Sequence, residues 1–136
     1  GVEIDERELR LDDGSSPEAL RRLREAGLWL TIDRFGSGKT RVQALRTNLV
    51  NAIKVEAREI VEFAGSDDTL IRTIVRQIHG LGLTIASDGV DDEATFRQLI
   101  DLGVDQVQGT HVGGPMTCEA LLDFVVTHRP LPVAGA

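Results

Sequence analysis

Glu3, Asp33, Lys54, Asp88 and Gln108 each stand at or near the end of a short apolar run. Acids gathered from separate strands suit Mg²⁺ or Mn²⁺, hard cations that prefer oxygen ligands. A lysine beside them can orient a water or offset charge on a phosphoryl oxygen. Taken singly, any one of these residues reads more simply as a solvated strand end or a helix cap. Repetition at five consecutive strand ends weakens that simple reading.

The run Leu30-Thr31-Ile32-Asp33-Arg34-Phe35-Gly36-Ser37-Gly38 is the most informative of the five. Apolar residues lead to an acid and two glycines follow, the place where α/β proteins keep their chemistry. Arg34 adds a cation that does not deprotonate in a protein. Turned inward, its guanidinium would lie among Glu3, Asp33 and Asp88 and stand in for the charge of a metal. Turned outward, it would be solvated.

Five apolar stretches must position these residues: Val2–Ile4, Leu28–Ile32, Ala52–Val55, Leu83–Ala86 and Val104–Val107. They recur at roughly the period of a βα unit, about 20–30 residues, and helical patterns lie between them. Ser16 is placed to cap the first helix, with Pro17 at its first position and Leu20, Leu23 and Ala26 on one face. Leu70, Ile71, Ile74, Val75, Ile78 and Leu81 form one stripe that ends near Gly80 and Gly82. Phe96, Leu99 and Ile100 mark a helix stopping at Gly103, and Leu121, Leu122, Val125 and Val126 mark the last. Alternation of this kind implies a parallel sheet with helices outside it. An open doubly wound sheet and a segment of a (β/α)8 barrel both satisfy it; a complete barrel takes about 250 residues.

Composition sets outer limits. One domain is the natural reading of 136 residues, with 41% hydrophobic and 27% charged. A net charge of -7 argues against a nucleic-acid binder. The single cysteine, Cys118, excludes an internal disulfide and fits a reducing, cytoplasmic setting. No apolar run is long enough for a membrane span. The opening Gly-Val-Glu-Ile-Asp-Glu reads as a strand rather than a signal peptide, which suggests a piece of a longer protein.

The ordered motifs resemble the EAL domains, bacterial phosphodiesterases that hydrolyse cyclic di-GMP. The Asp33 turn is similar to that family's Asp-Asp-Phe-Gly-Thr-Gly, with Arg34 in place of the second Asp. Val2-Glu3-Ile4-Asp5-Glu6 resembles Leu-Glu-Ile-Thr-Glu, which implies a metal-binding Glu3 and a loop-stabilising Glu6. Ile53-Lys54-Val55-Glu56 resembles Leu-Lys-Ile-Asp, whose lysine helps position the attacking water. Ser87-Asp88-Gly89-Val90-Asp91 is similar to Ala-Glu-Gly-Val-Glu, with both acids shortened. Asp105-Gln106-Val107-Gln108-Gly109 and Gly114-Pro115-Met116 resemble the closing segments that border the ligand. By resemblance, then, Glu3, Asp33 and Asp88 are vestigial metal residues, Lys54 is catalytic if the site is active, and Gln108, Pro115 and Asp91 are ligand-binding.

What the resemblance implies is a partial (β/α)8 TIM-type barrel of about five βα units, over residues 1–129, with a flexible tail at 130–136. The Glu-Ala-Leu segment and a metal-binding asparagine are absent, and Arg34 replaces a metal ligand with a cation. The expected function is a degenerate, catalytically silent module that senses cyclic di-GMP or contacts a protein partner. The alternative is a fragment of an active phosphodiesterase using Mg²⁺ or Mn²⁺. An unclosed barrel exposes strand edges, so self-association or pairing with a missing segment is also expected.

Lesser motifs carry less. Gly36-Ser37-Gly38-Lys39-Thr40 lacks the earlier glycine of a phosphate-binding P-loop. His79, His111 and His128 are too scattered for a zinc site. Cys118 has no histidine placed to activate it and is expected to pack.

Overall fold

Ile4, Ile32, Ile53 and Ile85 stand in register on four neighbouring strands and set the architecture. The computed structural model describes residues 1–9, 15–36, 45 and 49–127, without the side chains of Ser15 and Ser16. Among these, five strands form one parallel sheet: β1 (Val2–Asp5), β2 (Leu30–Asp33), β3 (Ala52–Glu56), β4 (Thr84–Asp88) and β5 (Gln106–Val107). The sheet order is β1-β2-β3-β4-β5. A doubly wound sheet reverses its order at a switch point, and this one never does. Sequential order is that of a barrel segment.

Five α-helices accompany the strands among the described residues, α1 (Ser15–Glu25), α2 (Ala57–Ser66), α3 (Asp68–Gly80), α4 (Glu93–Leu102) and α5 (Cys118–Thr127), and a short 3-10 helix, Glu6–Glu8, follows β1. Leu20 of α1, Ile60 of α2, Ile71, Val75 and Ile78 of α3, and Leu99 and Leu102 of α4 are buried with Ile32, Ile53 and Ile85 in one core, and Ile4 packs against it. Asp67 caps α3 by accepting from the Leu70 N–H at 2.9 Å. Asp92 caps α4 through the Thr95 N–H at 2.8 Å, and Gly103 ends that helix at φ 92°.

Several expectations need adjustment. The first helix starts at Ser15, so Pro17 is not its first position, and the cap expected of Ser16 falls on an undescribed side chain. α2 was absent from the sequence reading, because its buried face is only Ala57, Ile60 and Ala64 and gives a weak apolar signal. Leu70 lies off the buried stripe and is exposed. The apolar residues of α5 are exposed as well, Leu122 at 63% and Val126 at 85%. Cys118 is a free, exposed thiol rather than a packed one. Ser37–Arg41, His128 and the tail Pro130–Ala136 lie outside the described residues. No described helix is long and apolar enough to cross a membrane.

Candidate functional site

Register decides which side chains share a surface. Paired residues of a parallel sheet present their side chains to the same face, and successive residues of a strand to opposite faces. The isoleucine row therefore occupies the helix-covered face. Glu3, Thr31, Ala52 and Thr84 form a row on the other face. One step further along, Asp5 pairs with Asp33 and Lys54 pairs with Ala86; continuing the β2–β3 register sets Asp33 beside Lys54. Glu56 and Asp88 stand one step beyond that. Glu3, Asp33, Lys54 and Asp88 thus lie on one charged face, with Asp33, Lys54 and Asp88 toward the carboxyl ends of the strands, where α/β sheets bind ligands.

Two cations of the chain itself are bound to this face. The Lys54 ammonium donates to Glu3 Oε1 and Oε2, both at 3.0 Å, across the intervening strand. The Lys54 side chain is 10% exposed and that of Glu3 54%, so the charge sunk in the sheet is the lysine's. Arg34 takes a left-handed backbone at φ 53°, the only non-glycine residue to do so among the described residues. Its guanidinium is ion-paired with Asp5. Arg34 is therefore neither gathered among Glu3, Asp33 and Asp88 nor loose in solvent. Asp5 holds Arg7 too, with Nε donating to Oδ1 at 3.1 Å and a terminal nitrogen to Oδ2 at 2.7 Å. Glu6 is 2% exposed and its Oε2 accepts from the Gly36 N–H at 3.0 Å, which ties the end of β1 to the turn after β2.

The far end of the face is built differently, by loops locked to each other. The Gln108 N–H donates to Ser87 O at 2.8 Å, the Val90 N–H to Gln108 O at 3.0 Å and the His111 N–H to Val90 O at 3.1 Å. A Cβ on Gly109 would stand 2.1 Å from Val90 O, so this crossing requires glycine. Asp91 Oδ1 accepts from the Thr110 hydroxyl at 2.7 Å and the Thr110 N–H at 3.1 Å. Those bonds, the hydroxyl's first, hold the Asp91 carboxyl below its usual range. Asp92 is lowered by its backbone and side-chain bonds from Thr95, and Glu93 chiefly by Arg97, with His111 contributing. His111 Nε2 lies 2.8 Å from Glu93 Oε2, with its ring centroid 5.5 Å from that of Phe96.

The structure brings Glu3 to Lys54 and Glu6 to the Arg34 turn. It gives Asp33 and Asp88 no side-chain hydrogen bond or ion pair among the described residues. Gln108 and Pro115 are exposed beyond β5, and Asp91 is engaged with Thr110. A divalent metal is what the family resemblance implies for this face. Among the described residues, however, no group of three or more His, Cys, Asp or Glu side chains is placed to hold one. With Glu3 on Lys54 and Asp5 shared by two guanidiniums, this donor set does not by itself fit a two-metal centre. Asp5 is the residue sequence reasoning missed. Its signal was the Glu3–Asp5 alternation, which places both acids on one face of a strand. His79 is drawn to Asp105 Oδ2 at 2.9 Å, an oxygen that also accepts from the Ile85 N–H at 2.7 Å.

Comparison with known proteins bears on most of the chain. A family model described as EAL domain matches residues 1–115. The bifunctional diguanylate cyclase/cyclic di-GMP phosphodiesterase MucR of Pseudomonas aeruginosa is 32% identical over 126 residues, 91% of this chain and 18% of that protein. The solved MucR phosphodiesterase, a complex with cyclic di-GMP, superposes with a TM-score of 0.74 at 31% identity, over 88% of this chain and 49% of that one. Klebsiella pneumoniae BlrP1, solved with manganese and cyclic di-GMP, gives 0.65 at 28% identity, over 79% of this chain and 28% of that one. The chain spans about a fifth of the length of the curated relatives it matches, 21% for mycobacterial proteins and 18% for MucR.

Proposed function

The chain belongs to the EAL domain family, and from that premise we propose that it is a non-hydrolytic module of cyclic di-GMP signalling, binding the dinucleotide without metal and acting through protein contact. The observation that carries this reading is the state of its acids. Where metal chemistry needs free carboxylates, Lys54 is closed on Glu3 and Arg34 on Asp5. A guanidinium supplies fixed positive charge but cannot lower the pKa of a bound water as a metal ion does. The relatives MucR and BlrP1 support cyclic di-GMP as the ligand class, since each was solved with it. The protein-contact half of the proposal draws support from α5, whose Leu121, Leu122, Val125 and Val126 are exposed. The reading places the module in the cytoplasm, in keeping with its lone unpaired cysteine.

One experiment separates the readings. Cyclic di-GMP is incubated with the chain in Mn²⁺ or Mg²⁺ and the linear product is followed, while binding is measured in EDTA. Binding without turnover is the expected result. Turnover would establish the second reading, an active phosphodiesterase fragment. That reading is favoured by Asp33 and Asp88, which have no partner among the described residues, and by the phosphodiesterase relatives. Neither binding nor turnover would leave a purely structural or interaction domain.

A further inference from the structure

Asp5 carries two guanidiniums, and that arrangement points to how a ligand is held. We infer that Arg34 and Arg7, both fixed on Asp5, form a seat for one phosphodiester group of a cyclic dinucleotide, occupying the role a metal would otherwise have. The inference rests on the proposed reading that this face receives such a ligand. One carboxylate is shared by two permanent cations, so Asp5 alone does not neutralise both guanidiniums. Arg7 spends its Nε and one terminal nitrogen on Asp5, and Arg34 one terminal nitrogen. Each guanidinium has five N–H donors, so both retain donors for an incoming oxygen, in the planar geometry that suits phosphate. The two side chains are accessible, 59% exposed for Arg7 and 47% for Arg34, whereas Asp5 beneath them is 17% exposed.

The backbone agrees with this assignment. A long side chain rarely adopts a positive φ, and it persists where neighbours hold it. Here the Phe35 N–H donates to Lys54 O at 2.9 Å and the Gly36 N–H to Glu6, so the two residues after Arg34 tie the turn to β3 and to the end of β1. Asp33 and Asp88 oppose an anion on this face, and Lys54 is neutralised by Glu3. Arg34 and Arg7 are thus the cations that must offset those two acids.

The test is titration calorimetry of cyclic di-GMP and, separately, cyclic di-AMP into the full chain in EDTA, with circular dichroism to verify folding. Arg34→Ala is expected to weaken cyclic di-GMP binding by about tenfold or more, the worth of a charge-assisted hydrogen bond. Arg34→Lys, which keeps the charge and loses the fork, should recover part of that loss, and Arg7→Ala should weaken binding several-fold. Unchanged affinity in Arg34→Ala overturns the seat and leaves the proposed function standing. Should that variant not fold, unchanged affinity in Arg7→Ala overturns it equally. Binding of cyclic di-AMP alone, dependent on Arg34, overturns the proposed ligand and keeps the seat. Binding of neither dinucleotide overturns both.

Discussion

The two faces of this sheet are made by different physics. On one, Ile4, Ile32, Ile53 and Ile85 meet in register and are covered by helices; on the other, Glu3, Asp5, Asp33, Lys54 and Asp88 meet, with Glu3 and Asp5 paired to cations of the chain itself. Burial stabilises the first without regard to direction. The second depends on which cation reaches which acid, so it specifies more than it stabilises. Substitutions on the apolar face should therefore unfold the protein, and substitutions on the charged face should alter binding while leaving it folded.

The sharpest way to break this contrast begins on the apolar face. Ile53 is 1% exposed, and Ile53→Ala should cost about 2–5 kcal/mol, read as a drop in the urea midpoint. A loss below about 1 kcal/mol would mean the isoleucine row is not the core. Gly109→Ala comes next, at about 1–3 kcal/mol, because its Cβ would strike the Val90 backbone. Thermal melts should reveal it, together with loosening of the Gln108 loop in hydrogen exchange.

On the charged face the effects shrink. Lys54→Met should cost only about 1 kcal/mol, since its partner Glu3 is half exposed and the methionine keeps the packing. A larger loss by urea titration would show that the Lys54–Glu3 pair is structural. Acid should act at the far end of the face. The folded pKa of Asp91 lies below its ordinary 3.8. The stability it contributes is therefore present above that value and lost as pH falls through the folded pKa. Melting temperature in Asp91→Asn should consequently decline less than in the unmodified chain below about pH 4. Identical profiles would remove Asp91 from that account.

The same contrast explains what the sequence disclosed. Apolar runs at Leu30–Ile32 and Ala52–Val55 announced buried parallel strands, because burial is written locally, residue after residue. The stripe through Ile71, Val75 and Ile78 announced α3 for the same reason. α2 escaped notice because alanines make much of its buried face. Pairing across the charged face is not local: Lys54 and Glu3 are 51 residues apart, Arg34 and Asp5 29. Which acid takes which cation depends on register and on the unusual φ of Arg34, neither of which periodicity reveals. Family motifs could place Glu3, Asp33, Lys54 and Asp88 on one face. They could not foretell that Asp5 would hold Arg34.

The central claim is that the cations of this chain have taken the place of a metal. Calorimetric titration of Mn²⁺ into the unmodified chain, beside Arg34→Asp, tests it most directly. The account predicts no heat beyond dilution for the unmodified chain, and binding that emerges only when Arg34 becomes an acid. Tight, saturable Mn²⁺ binding by the unmodified chain would contradict it.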